Sequence, residues 1–144
     1  KEIFADVAPK YILCGHTHRV ANFTQYDKTV WNSGSVGCPL NGQSKAEFMI
    51  LHSKDKQWEV EFITLDYDVE AVIKEMREKS FYETAPFWTQ VSEQLLRGGT
   101  VAHGTALNRA MELCQIKYGE CKWPMIPEEC WQQACEELLH TREA

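Results

Sequence analysis

The hydrophobic period of this chain changes at Asp68, and that change limits its fold more than any other feature. Before Asp68, apolar residues come in short runs at Tyr11–Cys14, 20–26 and 29–32, each punctuated by Gly, Asn or Asp, which predicts strands. The runs AEFMILH (46–52) and WEVEFITL (58–65) flank the polar SKDKQ and predict a hairpin. In its second strand Trp58, Val60 and Phe62 share one face and Glu59 and Glu61 the other, the alternation of a half-buried strand. After Asp68 the period becomes helical. Asp68 can cap a helix carrying Val69, Val72, Ile73 and Met76 at i, i+3, i+4 and i+7. A second helix is predicted from Pro86 through Trp88, Val91 and Leu95 to a stop at Gly98 and Gly99. A third runs through Leu107, Ala110, Met111 and Cys114 toward Gly119. A fourth starts at Pro127, places Glu128 and Glu129 in the first turn, and aligns Trp131, Ala134, Cys135 and Leu138. The expected molecule is α/β, with a β-rich front and an α-helical tail.

The 144 residues suit one compact unit with a sizeable core. Their 15 basic and 21 acidic side chains leave a net charge of −6, which argues against nucleic acid as a partner. A small anionic substrate stays possible where a metal supplies positive charge. No apolar run approaches the roughly 18 to 20 residues that span a bilayer, so no membrane partner is expected. Six cysteines (Cys14, Cys38, Cys114, Cys121, Cys130, Cys135) stand in a chain that shows no signal-peptide pattern and is neither small nor loop-rich. They read as reduced thiols of a cytoplasmic protein.

The candidate site is the stretch YILCGHTH, residues 11 to 18. Tyr11–Cys14 reads as an interior strand of a parallel sheet, and open α/β sheets bind ligands just beyond the carboxyl ends of their strands. Gly15 frees the backbone there and presents no side chain to what binds. In extended chain His16 and His18 would point to one face about 6.6 Å apart. Hydrolytic two-metal sites hold their ions roughly 3.5–4 Å apart, so each imidazole could reach its own ion. Histidine suits Zn, Fe, Ni or Cu, and added carboxylates bring in Mn and Mg; two ligands do not choose among them.

YILCGHTHR, followed by NSGSVG at residues 32–37 and by ITLDYDVEAVI at residues 63–73, resembles the C-terminal half of calcineurin-like metallophosphoesterases. The resemblance is to the bacterial group of small phosphodiesterases and diadenosine tetraphosphatase-like proteins, and it covers about the first half of the chain. It implies the C-terminal half of a β-sandwich flanked by helices (four-layer α/β/β/α) over residues 1–83, with residues 84–144 as a helical extension packed on it. It further implies that His16 ligates the second metal and His18 the first of two divalent ions (Mn, Fe, Zn or Ni). The ions would promote in-line attack of water on phosphorus in a small phosphate ester. A carbonyl of the NSGSVG loop is one candidate to fix a ligand imidazole through its other nitrogen. Arg19 follows the pair directly, either as a bidentate partner for substrate phosphate or as a solvated surface residue.

The family builds its site from five motifs, and only the Gly-His-x-His motif is present. Residues 1–144 contain no Asp-x-His, Gly-Asp-x-x-Asp or Gly-Asn-His. The family's bridging carboxylate, amide ligand and general-acid histidine are therefore absent from this sequence. Hence the chain, which begins at Lys1, is expected to be the C-terminal part of a longer protein, starting in the helix before the strand at Tyr11. The other half of the site would come from an N-terminal half in cis or on a separate chain. Alone, the chain is expected to be inactive and, with a bare sheet edge, to self-associate. The competing expectation is a non-catalytic scaffold of the same fold that binds a protein partner.

Other residues read as structural. Cys114, Cys121, Cys130 and Cys135, with His140 nearby, are spaced unlike zinc motifs, and Cys114 and Cys135 fall on apolar helix faces. Cys14 reads as strand packing and Cys38 as a small loop residue. His52 and His103 have no chemical neighbours in sequence and are expected to be structural or solvated. Phe87, Trp88, Trp123 and Trp131 are expected to pack against the outer face of the sheet, with a lid over the substrate or a dimer surface as the lesser alternative.

Overall fold

The computed structural model describes residues 7–55 and 57–139. The helix expected before Tyr11 and the side chain of His140 lie outside the described residues. Five strands are followed by five helices: β1 (Tyr11–Cys14), β2 (Val20–Gln25), β3 (Lys28–Ser33), β4 (Ala46–Lys54), β5 (Gln57–Leu65), α1 (Val69–Glu78), α2 (Phe81–Thr84), α3 (Pro86–Leu96), α4 (His103–Tyr118) and α5 (Glu128–Leu139). The fold is mixed α/β with small sheets.

The first sheet has the order β1-β3-β2. β1 runs parallel to β3, with Leu13 opposite Trp31 and Cys14 opposite Asn32. β2 and β3 form an antiparallel hairpin in which Gln25 faces Lys28. Its two-residue turn, Tyr26 and Asp27, has φ of 51° and 62°, the doubly left-handed turn whose twist matches a hairpin. β4 and β5 pair antiparallel from Ala46 opposite Leu65 to Lys54 opposite Gln57. Both strands therefore reach further into SKDKQ than expected, and Asp55 takes φ 49° at the tip. A backbone bond from Glu47 N to Ser35 O (3.0 Å) ties this ribbon to the segment after β3.

The front differs from its expected burial. β1 has one neighbour among the described strands, and Leu13 is 56% exposed. Trp58, expected on the inner face of β5, is 44% exposed, and no residue of β5 is fully buried. Only β3 is well covered, through Val30, Trp31 and Asn32.

The helices form where their caps and periods place them. Asp68 accepts from Ala71 N at 2.9 Å and starts α1, which buries Ile73 and Met76. Pro86 occupies the first turn of α3, where a missing N–H costs nothing. Gly119, at φ 77°, ends α4 with its N–H on Gln115 O. α2 was not anticipated: it is a single turn entered through Ser80 in a left-handed conformation, without a side-chain cap.

The helices pack chiefly on one another, which corrects the expectation that their aromatic residues cover the sheet. One cluster joins Ala110, Leu113 and Cys114 of α4 to Cys130 and Ala134 of α5. A second joins Val91 and Leu95 of α3, Ala106 and Cys135, with Cys38, Leu40, Phe87 and Trp131 against it. Trp123 is 59% exposed. The tail thus meets the front through Cys38 and Leu40, in the loop that follows β3. Glu93 of α3 fastens the adjoining helices, accepting from Arg77 (3.3 Å), Arg97 (3.1 Å) and the Tyr82 hydroxyl.

Candidate functional site

The two histidines sit in a turn just past the carboxyl end of β1, not in extended chain. His18 N reaches back to Gly15 O at 3.5 Å, and His18 itself takes φ 54°, which is uncommon for a residue with a side chain. The 6.6 Å spacing expected of an extended His-x-His therefore does not apply. Beside Gly15 the space is open: a Cβ built there would meet nothing within 4 Å.

The loop after β3 holds this turn. Asn32 is 3% exposed; its amide donates to Thr17 Oγ1 (2.9 Å) and its carbonyl accepts from Gly34 N (3.0 Å). Leu40 N donates to His18 O at 3.2 Å. His18 Nδ1 lies 3.0 Å from Cys38 O. A carbonyl can only accept, so Nδ1 carries the proton and the Nε2 lone pair is left to bind. That carbonyl belongs to the residue immediately after NSGSVG, one position beyond the loop proposed from sequence. Gly34 is required for the geometry: at φ 81°, a Cβ there would stand 2.5 Å from Glu47 Oε2 and 2.8 Å from Glu47 Cβ. Glu47, 6% exposed, accepts from Asn41 Nδ2, while its Oε2 has no partner in the described structure.

His16, Thr17 and His18 line a cavity of about 490 Å³ whose other walls are Leu40, Trp88, Leu95, Ala102, His103 and Gly104. Sequence reasoning missed His103, because its neighbours are brought to it only by the packing of α3 on α4. Its ring lies against that of Trp88, tilted by 31°, with centroids 4.4 Å apart. Ser92 Oγ spends its one proton on Trp88 O (3.0 Å), so at 2.8 Å it accepts from His103 Nε2. Burial pushes the His103 imidazole below its ordinary value, a bond to the Trp88 backbone opposes this, and His18 adds to the lowering. Burial also pushes the Cys38 thiol up, keeping it protonated. Arg19 is exposed and is not part of the cavity lining.

Among the described residues, no group of three or more His, Cys, Asp or Glu is placed to hold a metal ion. His16 and His18 are thus a partial donor set at most, and His103 does not complete it. In the tail, Cys114 and Cys130 are buried and Cys121 packs against them, but this cluster likewise forms no metal group. The Cys114 thiol instead donates to Glu120 O at 3.5 Å. His52 pairs with Glu61 across the exposed hairpin at 3.0 Å, a structural role.

No family model, curated protein or solved structure matches this chain. Its function therefore has to be argued from the histidine turn and what faces it. No helix among the described residues is long and apolar enough to cross a membrane.

Proposed function

We propose that this chain supplies one edge of a two-metal phosphoesterase centre, with His16 and His18 as ligands to separate divalent ions. The observation that carries the reading is the fixed tautomer of His18: Nδ1 donates to Cys38 O, which leaves Nε2 as a donor beside His16 at the wall of a cavity. The remaining ligands, carboxylates above all, come from an N-terminal half in cis or on another chain. In this reading that half also pairs with the free edge of β1 and completes a four-layer α/β/β/α sandwich. When bound, the ions supply Lewis-acid stabilisation of charge on the phosphoryl oxygens and activate water. The chain's own residues orient the ligands: Asn32 and the Leu40 amide fix the turn, and Cys38 fixes the His18 ring. The substrate is a small phosphate ester and the setting cytoplasmic, with metal identity (Mn, Fe, Zn or Ni) left to experiment.

The test is hydrolysis of an aryl phosphate by the natural protein with both halves present. Added manganese or iron should stimulate turnover, and joint replacement of His16→Ala and His18→Ala should abolish it. Unchanged turnover in that double variant would remove the basis of the proposal. One observation favours the scaffold alternative, namely that the described residues hold only a partial donor set. It predicts a natural protein that binds no metal and retains its partner when both histidines are replaced.

A further inference from the structure

The cavity beside His16 and His18 is larger and less polar than a phosphate group needs. At about 490 Å³ it falls within the range of small-molecule sites, and its far side is formed by Leu40, Trp88, Leu95, Ala102 and His103. Among the described residues, no Lys, Arg, Asp or Glu lines it. The described lining therefore supplies no carboxylate, ammonium or guanidinium as counter-charge for an ionised group on the far side. The Trp88 and His103 rings lie against each other, tilted by 31°, at the junction of α3 and α4, and the Trp131 ring meets Trp88 edge-on at 6.3 Å. This edge contact and the bond from His103 to Ser92 hold both rings in place, which lowers the entropic cost of binding against them. A Cβ built on Gly104 would meet nothing within 4 Å, so the helix start beside the two rings leaves open space.

We propose that the Trp88–His103 wall seats a planar aromatic group of the ester, making this a site for aromatic phosphate esters in preference to alkyl or polyol phosphates. The proposal rests on the phosphoesterase reading, since that reading puts the phosphate at the histidine turn. It assigns a role to the helical tail: α3 and α4 recognise the organic group, while the loops after β1 and β3 hold the ligands for the ions. Flat uncharged rings match this wall because stacking on aromatic side chains is tolerant of ring identity, and a base or a simple aryl group would serve equally.

The experiment is a titration of the natural protein with both halves present, isotope-labelled, with 1-naphthyl phosphate, adenosine 5′-phosphate, n-hexyl phosphate and glycerol phosphate, followed by the indole N–H of Trp88 and the ring of His103. The two aromatic esters should shift both signals and bind at least about tenfold more tightly than the other two. Trp88→Leu should erase that preference, and Trp88→Phe should restore part of it. Gly104→Leu, which fills the open space and favours the helix, should weaken the aromatic esters without unfolding the chain. Equal affinities for all four esters, or a preference that survives Trp88→Leu, would overturn the proposal. Failure of the phosphoesterase reading has a separate signature: the aromatic preference persists, but 1-naphthol binds as tightly as its phosphate with manganese present.

Discussion

The two halves of this chain bury their apolar residues to very different extents. In the tail, Val91, Leu95, Ala106, Cys130, Ala134 and Cys135 are almost fully enclosed. In the front, Leu13, Val20, Phe23, Val36 and Trp58 all stand well exposed. The helices carry a core of their own, whereas the strands are held by backbone pairing and by the loop after β3. The histidine turn lies between these regimes. Its hydrogen bonds go to the front, and the wall that faces it belongs to the tail.

The largest expected effect comes from deleting core volume in the tail. Leu95→Ala, at a side chain 1% exposed, should cost about 2–5 kcal/mol by urea unfolding. Phe23→Ala on β2, at 46% exposed, should cost under about 1 kcal/mol. Similar losses at the two sites would show that the front is packed as tightly as the tail. Next, Gly34→Ala should destabilise by about 1–3 kcal/mol, because its Cβ meets Glu47 and its backbone is left-handed. Gly37→Ala has open space at its Cβ and should be close to neutral in the same assay.

Acid should act through the tail. Burial alone would raise the Glu93 carboxyl, but the Tyr82 hydroxyl, Arg97 and Arg77 override it and hold Glu93 below its ordinary 4.5. A carboxylate depressed in the folded state stabilises above its unfolded value and loses that contribution as the pH falls through its folded one. Stability measured below about pH 4.5 should therefore fall less steeply in Glu93→Gln than in the parent chain. Parallel curves would mean that the Glu93 network contributes nothing to acid sensitivity. The smallest perturbation is thiol labelling. Exposed Cys14 should react first in the native protein, and Cys114, Cys130 and Cys135 only on unfolding.

The helices were legible in the sequence because period and caps agree locally: Asp68 before α1, Pro86 in the first turn of α3 and Gly119 after α4 each act through neighbours in the chain. α2 was not, since one turn is too short to show a period and Ser80 makes no cap bond. Strand positions were legible for the same local reason as the helices. Their burial was not, because alternation shows which side chains share a face and not what covers that face. His16 and His18 could be singled out from their spacing and setting. The turn that holds them could not, because His18, at φ 54°, is held by a bond to Cys38 O and one from Leu40 N, both distant in sequence. His103 carried no signal at all. Its partners, Trp88 and Ser92, share one face of α3, and nothing in that periodicity says which residue of α4 will meet them.

Cys38 O holds the proton of His18 on Nδ1, and His18 thereby presents a free Nε2. Long-range proton–nitrogen NMR of the imidazoles reads this directly. The expected spectrum has His18 protonated at Nδ1, with the Nε2 resonances of both His16 and His18 moving when zinc is added in excess. A proton on His18 Nε2, with neither ring responding to zinc, would contradict the account.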